Sequence, residues 1–294
     1  MITFTRAVHL LPIFFPILIV VTILTPYIIA VSLDHVYPFL PCISKTAGFE
    51  PEGSIFGFLM FLVALIGLLT IFTRYLQLKG FSQQGFEANV LHKVKWFNTI
   101  SLLSGVSCIL GVVLVANFHF SNLAKKGCYR NGQLVGFRLL RVHNAGTLML
   151  FLGGGVYFWF QTLISYHGIA VKLNSKSMFL FRLAVSCIVT ITGVVYPFLK
   201  DFAYTKYSGR VQLNSVTAAA HWSPNEGGWA VQVASNAGEW IDCLSLAIYA
   251  ASFYKEFQTF SLDVSYVENA ELEKGWNGKY SKIRQSKEEE VSDE

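Results

Sequence analysis

Glu239 and Asp242 stand three residues apart inside a long apolar stretch, so on a helix their carboxyls share one face. An ionised carboxyl at mid-membrane costs about 3 kcal/mol on insertion scales, and such residues turn to a bundle interior or a cavity. The pair can form a proton- or cation-sensitive site. It can equally be a structural contact satisfied by Tyr, Asn or His neighbours, and the absence of a second acidic helix for a transport relay favours that role. His143 and Asn144, at the start of another apolar stretch, are candidate partners. A histidine there can titrate at mildly acidic pH, although an interface histidine bonded to backbone is the commoner case.

Other reactive side chains are scattered. Cys42 and Cys128 fall in loops expected on one face, whereas Cys108, Cys187 and Cys243 fall in apolar stretches. In an oxidising compartment the two loop thiols can pair, and otherwise they stay free. Tyr280-Ser-Lys-Ile283 has the Tyr-x-x-apolar shape of a sorting signal, with Tyr280 and Ile283 as pocket-filling anchors. So short a pattern is also common by chance in a solvated tail. No His-Glu-x-x-His, Cys-x-x-Cys, Gly-x-Ser-x-Gly, phosphate-loop or dinucleotide pattern occurs. The seven histidines show no ligand spacing. The expectation is therefore a non-enzymatic chain with no catalytic residue, metal or cofactor.

These residues need elements to hold them, and composition says which. Only 14% of residues are charged and 53% are hydrophobic, too little charge to cover a water-facing surface, where about 25% is usual. The apolar residues form six blocks, at 7–33, 54–72, 96–118, 142–164, 183–199 and 229–254. A helix needs about 20 apolar residues to cross hydrocarbon, and lipid leaves backbone groups no partners outside the helix. The expected fold is all-α, a bundle of six transmembrane helices over 1–260 with short loops. A polar, acidic tail over 261–294 is expected to be disordered and cytosolic. The first block, with Pro12, Pro16 and Pro26, is too long for a signal peptide and reads as an uncleaved, kinked helix.

Even parity puts both termini on one side. Basic residues divide almost equally between the two faces, so charge alone barely orients the chain. The net charge of +5 combines an acidic tail with basic loops suited to anionic lipid headgroups. No basic soluble face is available for nucleic acid. In the loop after residue 118, Asn131-Gly132 is a hairpin turn signal. Gly153-Gly154-Gly155 is a small-residue surface suited to close helix packing.

Several segments in order carry a more specific signal. They are His35-Val-Tyr-Pro38-Phe39-Leu-Pro41-Cys42-Ile43-Ser44, then Pro51-Glu52, Ile55-Phe-Gly-Phe and Thr73-Arg74-Tyr75. There follow Val115-Ala-Asn-Phe118, Val142-His143, Val156-Tyr157, Gln161, Ile164-Ser165-Tyr166, Val185-Ser186-Cys187, Glu239-Trp240 and Phe257-Gln258. This pattern resembles the damage-regulated autophagy modulator (DRAM) family of six-span membrane proteins. Cys42-Ile43-Ser44-Lys45 departs from the family's aromatic-Ile-Ser-Asp, and the stretch 121–141 is longer than usual. The resemblance implies a lysosomal or late-endosomal membrane protein with cytosolic termini that promotes autophagy, and in some members cell death. Its partners would be membrane lipids and unidentified autophagy or trafficking proteins, in an oligomeric state that is not implied. The wider superfamily implies an alternative, a plasma-membrane scaffold for a phosphoinositide kinase. The acidic pair leaves open a small transporter or channel.

Overall fold

The structure, a computed structural model, describes residues 8–81, 87–118, 129–130, 133–208 and 220–260, without the side chains between 129 and 140. Cys128, Tyr280, Ile283 and the tail over 261–294 lie outside the described residues. A 3-10 turn, Val8–Leu10, leads into α1 (Leu11–Ser32), which continues as helix through Pro16 and Pro26. Then come α2 (Ile43–Thr46), α3 (Glu52–Phe81), α4 (Ala88–Asn117), α5 (Val135–Gly168), α6 (Lys176–Lys206), α7 (Trp229–Ala251) and α8 (Tyr254–Phe257). A pair of two-residue strands, β1 (Tyr129–Arg130) and β2 (Gln133–Leu134), is antiparallel with Tyr129 opposite Leu134. It brackets Asn131-Gly132, as the turn signal predicts.

Most long helices overrun their apolar blocks. The block 183–199 became a helix from Lys176 to Lys206, and 54–72 became Glu52–Phe81. Hydropathy marks only the part that must avoid water, whereas hydrogen bonding continues the helix past that limit.

Among the described residues, five helical stretches are long and apolar enough to cross a membrane: Val8–Ser32, Glu52–Phe81, Ala88–Asn117, Arg141–Gly168 and Lys176–Lys206. The sixth expected span, α7, is not among them. Its 23 residues reach roughly 34 Å, but Gln232, Ser235, Asn236, Glu239 and Asp242 dilute its apolar content. It nonetheless runs the height of the bundle. Near its start Ser235 donates to the Tyr196 carbonyl (2.9 Å) and Asn236 to the Leu40 carbonyl (3.0 Å). Just past its end, α8 packs against the Val8–Leu10 turn.

Helices adjacent in sequence lie side by side, in the order α1, α3, α4, α5, α6, α7, and α7 returns to α1 to close a ring. Phe15, Ile19, Phe56, Val63, Val112, Phe158 and Val189 fill its middle. The outer faces carry exposed Phe14, Phe58, Phe61, Leu103, Leu148, Ile191 and Phe198. Such a surface suits hydrocarbon and would aggregate in water.

Candidate functional site

α7 links two polar clusters, one at each end of the ring. Its buried face carries Gln232, Ser235, Asn236, Asp242, Ser245 and Tyr249, related by helical steps of three, four or seven residues (232/235, 232/236, 235/242, 242/245, 245/249), so that they stack along one side. That face packs on α6. Buried polar groups of this kind persist only with partners, and the partners define the site.

At the first end, the loop between α1 and α3 folds onto α7. The Trp240 indole donates to the Pro41 carbonyl at 2.8 Å, and the Glu239 carboxylate accepts the Ile43 amide at 3.1 Å. Ile43 begins α2, whose first amides lack helical partners, so a carboxylate there satisfies an otherwise orphaned donor. The Tyr27 hydroxyl donates to the Pro38 carbonyl at 2.8 Å, and its ring meets Trp240 edge-on. Phe39 lies against Trp229. Downstream, Glu52 is fully buried and its Oε1 lies 2.6 Å from His35 Nδ1. Glu50 accepts from the Ser54 amide just past Pro51. The loop residues Pro38 to Ser44 therefore form a cap over α7, held through Glu239, Trp240 and Asn236, while Glu52, at the start of α3, is tied to the same loop through His35.

Cys42 is a free, buried thiol in this cap, 3.3 Å from the Ser44 hydroxyl. Burial, and then the Glu239 carboxylate, raise its pKa above the ordinary thiol range. Glu239 and Asp242 share a helix side as expected, but they face different partners. Asp242 Oδ1 accepts from the Thr192 hydroxyl of α6. His143, expected beside them, instead has its Nδ1 2.8 Å from the Phe118 carbonyl at the end of α4, and Asn144 is exposed.

Glutamine at 239 keeps the shape and removes the charge from the bond to Ile43. The expected result is a loosening of the cap by about 1 kcal/mol. It would be read as faster amide hydrogen exchange across Ile43–Thr46, with protection unchanged in α4 and α5.

At the opposite end lies a charge cluster that the sequence reading did not single out. Arg74 of α3 and Arg182 of α6 are both fully buried, and Glu256 of α8 is 4% exposed between them. Arg74 Nη1 pairs with Glu256 Oε2, and Arg182 Nη1 lies 2.8 Å from Glu256 Oε1. The guanidiniums donate further. Arg74 reaches the Gln161 side chain (3.1 Å) and Gln77 (2.7 Å), and Gln77 in turn donates to the Glu256 carbonyl. Arg182 reaches the Ser165 hydroxyl (2.7 Å), the Ser252 hydroxyl (2.9 Å) and the Ser252 carbonyl (3.0 Å). Phe253 sits beside both cations, its ring centre 4.6 Å from the Arg74 guanidinium carbon and 4.4 Å from that of Arg182. Such contacts out of water are worth roughly 2 kcal/mol each.

Deeper along α7, the Tyr249 hydroxyl donates to the Phe158 carbonyl (2.9 Å) and meets Thr162, which meets Ser186. The cluster ties α3, α5, α6, α7 and α8 together. Chemically it is a lock: one carboxylate bridges two arginines whose charge would otherwise be unsupported in a dry interior.

Segments far apart in sequence meet at each end. Glu239-Trp240 meets Pro41 to Ile43 at the first, and at the second Gln161 and Ser165 hold the arginines, Arg74 and Arg182, that pair with Glu256, the residue just before Phe257-Gln258.

Comparison with known proteins gives a family model described as Frag1/DRAM/Sfk1/Cwh43P N-terminal domain, matching residues 7–260. Among individual proteins, the chain is 28% identical over 243 residues to "DNA damage-regulated autophagy modulator protein 2" of Rattus norvegicus, covering 83% of this chain and 81% of that protein. It is 30% identical over 249 residues to "DNA damage-regulated autophagy modulator protein 1" of Homo sapiens, covering 84% and 89%. It is 26% identical over 197 residues to "Modulator of macroautophagy TMEM150B-B" of Xenopus laevis, covering 66% and 67%. No solved structure matches the chain.

Proposed function

The chain belongs to the Frag1/DRAM/Sfk1/Cwh43P family, and from that premise we propose that it is a non-enzymatic, six-span protein of lysosomal or late-endosomal membranes that promotes autophagy. The observation that carries this reading is the match to named autophagy modulators over more than four-fifths of the chain. Support for α7 as the sixth span comes from its passage from the cap at one end to the arginine cluster at the other. Six crossings return the chain to the side on which it began, which agrees with the packing of α8 against the Val8–Leu10 turn. In this reading both termini are cytosolic, and partners are lipids and autophagy or trafficking proteins met on that side. Promotion of cell death, as in some family members, is a further part of the proposal.

The buried polar groups fit a protein that holds one shape rather than one that turns over substrate. Glu239 and Arg74, Arg182 and Glu256 are spent on one another or on backbone groups. The test is a copy tagged at its own locus, imaged against lysosomal and plasma-membrane markers. Starvation-induced autophagic turnover is then measured with and without the gene. The expected result is lysosomal or late-endosomal signal and reduced turnover on removal. Confinement to the plasma membrane with unchanged turnover would overturn the reading in favour of a scaffold at that membrane.

A further inference from the structure

A second apolar cluster closes the end of the bundle that carries the arginines. Leu78 of α3, Val94 of α4, Ile164 of α5 and Leu173 of the turn before α6 pack together, from 0% to 9% exposed. Their sequence neighbours are basic: Lys79 follows Leu78, Lys93 and Lys95 flank Val94, and Lys172 precedes Leu173. All four lysines are exposed. Because the cluster brings their backbones together, ammonium groups from three separate segments surround one small patch. Lys93 also lies close enough to His167, at the end of α5, for its charge to act on that ring. Among the described residues Glu87 is the one exposed acid at this end, and Lys93, Lys95 and Lys172 enter no salt bridge. Lys172 holds its place against strain. Its φ is +57°, in the left-handed region that suits glycine, and the Leu173 amide fastens the turn by donating to the Gly168 carbonyl at 2.9 Å.

The patch lies at the level of lipid headgroups. Trp96, 58% exposed, opens the apolar block of α4 directly after Lys95, and Tyr166, 57% exposed, stands just past that of α5. Exposed aromatic residues at such positions mark the edge of the hydrocarbon, and lysines just beyond them reach the phosphates. Like charges this crowded repel, and a basic pocket between spans is suited to a polyanionic headgroup. A headgroup with one negative charge can neutralise one lysine. Phosphomonoesters carry nearly two charges each, and several can sit on one inositol ring. Each ammonium is a point charge on a flexible stem, so it can follow a phosphate without a rigid geometry to match. We propose that Lys93, Lys95 and Lys172 form a binding site for an inositol phospholipid bearing two or more phosphomonoesters, drawn from the leaflet at this end of the bundle. Such a site requires only that this end lies at a membrane surface, and it is independent of any role in autophagy.

The test is native mass spectrometry of the full chain in a neutral detergent, titrated with phosphatidylinositol 4,5-bisphosphate, with phosphatidylserine or with soluble inositol 1,4,5-trisphosphate. The expected result is a single bisphosphate lipid per chain, bound at least about tenfold more tightly than phosphatidylserine. Lys93→Gln, Lys95→Gln and Lys172→Gln combined are expected to weaken that binding by about tenfold or more. Lys206→Gln, at the opposite end, should leave it unchanged. Lys172→Gly separates charge from fold. Glycine suits the left-handed φ, so this variant should be at least as heat-stable as the parent yet bind the bisphosphate lipid about threefold or more weakly. Equal retention of phosphatidylserine and the bisphosphate lipid would overturn the preference for several phosphates, and undiminished binding by the triple variant would overturn these lysines as the site. Should the soluble trisphosphate bind as tightly as the lipid, the ligand would be a free inositol phosphate and the lipid assignment would fall. If the triple variant does not fold, Lys172→Gly decides the question, and binding equal to that of the parent would overturn the site.

Discussion

Glu256→Gln is expected to cost roughly 3–5 kcal/mol of stability, the usual loss when one member of a buried ion pair is removed. The carboxylate is shared by two guanidiniums, both fully buried. With glutamine in its place the cluster holds two positive charges and no negative one. Neither arginine can escape: Arg74 lies near the end of α3, hemmed in by Gln77, Gln161 and Phe253, and Arg182 is bonded to Ser165 and Ser252. The readout is the fraction of monodisperse protein left after heating in detergent, with the apparent melting temperature falling on the order of 10 °C. Glu256→Asp keeps the charge but shortens the bridge, so it should fall between glutamine and the parent. The double change Glu256→Gln with Arg182→Gln should lose less than the two single changes added together, because it removes one stranded charge along with its partner. A glutamine variant that melts like the parent would show that water reaches these groups and that the cluster locks nothing.

That cluster also shows where sequence reading stops. Arg74 ends one apolar block, Arg182 begins another and Glu256 follows a third. A charge at the edge of a span ordinarily means a side chain reaching for headgroups. Nothing local distinguishes a charge turned outward from one turned in. What could have raised the alarm is topology, because the end of the second long helix, the start of the fifth and the end of the sixth must all lie at one end of an up-and-down bundle.

The acidic pair was easier to see, since two carboxyls within an apolar block have no headgroups within reach. Their partners were not visible. Glu239 accepts a backbone amide 196 positions away in sequence, and Asp242 a threonine that looks unremarkable on its own helix. Long-range pairing to backbone leaves no residue-type signature. The six apolar blocks did predict the six long helices, because hydrocarbon constrains every residue it touches. The sixth departs from the rest for a physical reason: a helix that lines the polar seam with α6 and carries the cap must trade apolar residues for hydrogen-bonding ones, so it loses the composition of a span while keeping its length.

The glycines of α4 and α5, alike in sequence, differ in what a side chain would meet. A Cβ at Gly111 would lie 2.4 Å from the Leu150 amide nitrogen and 2.5 Å from the Gly146 carbonyl oxygen, and at Gly153 it would lie 2.8 Å from backbone atoms of Cys108 and Ser104. These neighbours are main chain, with no rotamer to turn aside, so the two helices themselves must part. In lipid the association of spans rests on close packing, with no solvent to drive apolar surfaces together, so a separation along this seam is not recovered elsewhere. Gly111→Val is therefore expected to cost about 3 kcal/mol or more, at the upper end of overpacking. Pulse-chase turnover in cells and monodispersity in detergent both report it, and Gly111→Ala should already be measurably impaired. Gly155→Ala, only two residues past Gly153 but with nothing within 4 Å of its Cβ, is expected to leave both unchanged. If valine at 111 were accepted as readily as alanine at 155, the α4–α5 seam would not be the tight backbone contact that these distances describe.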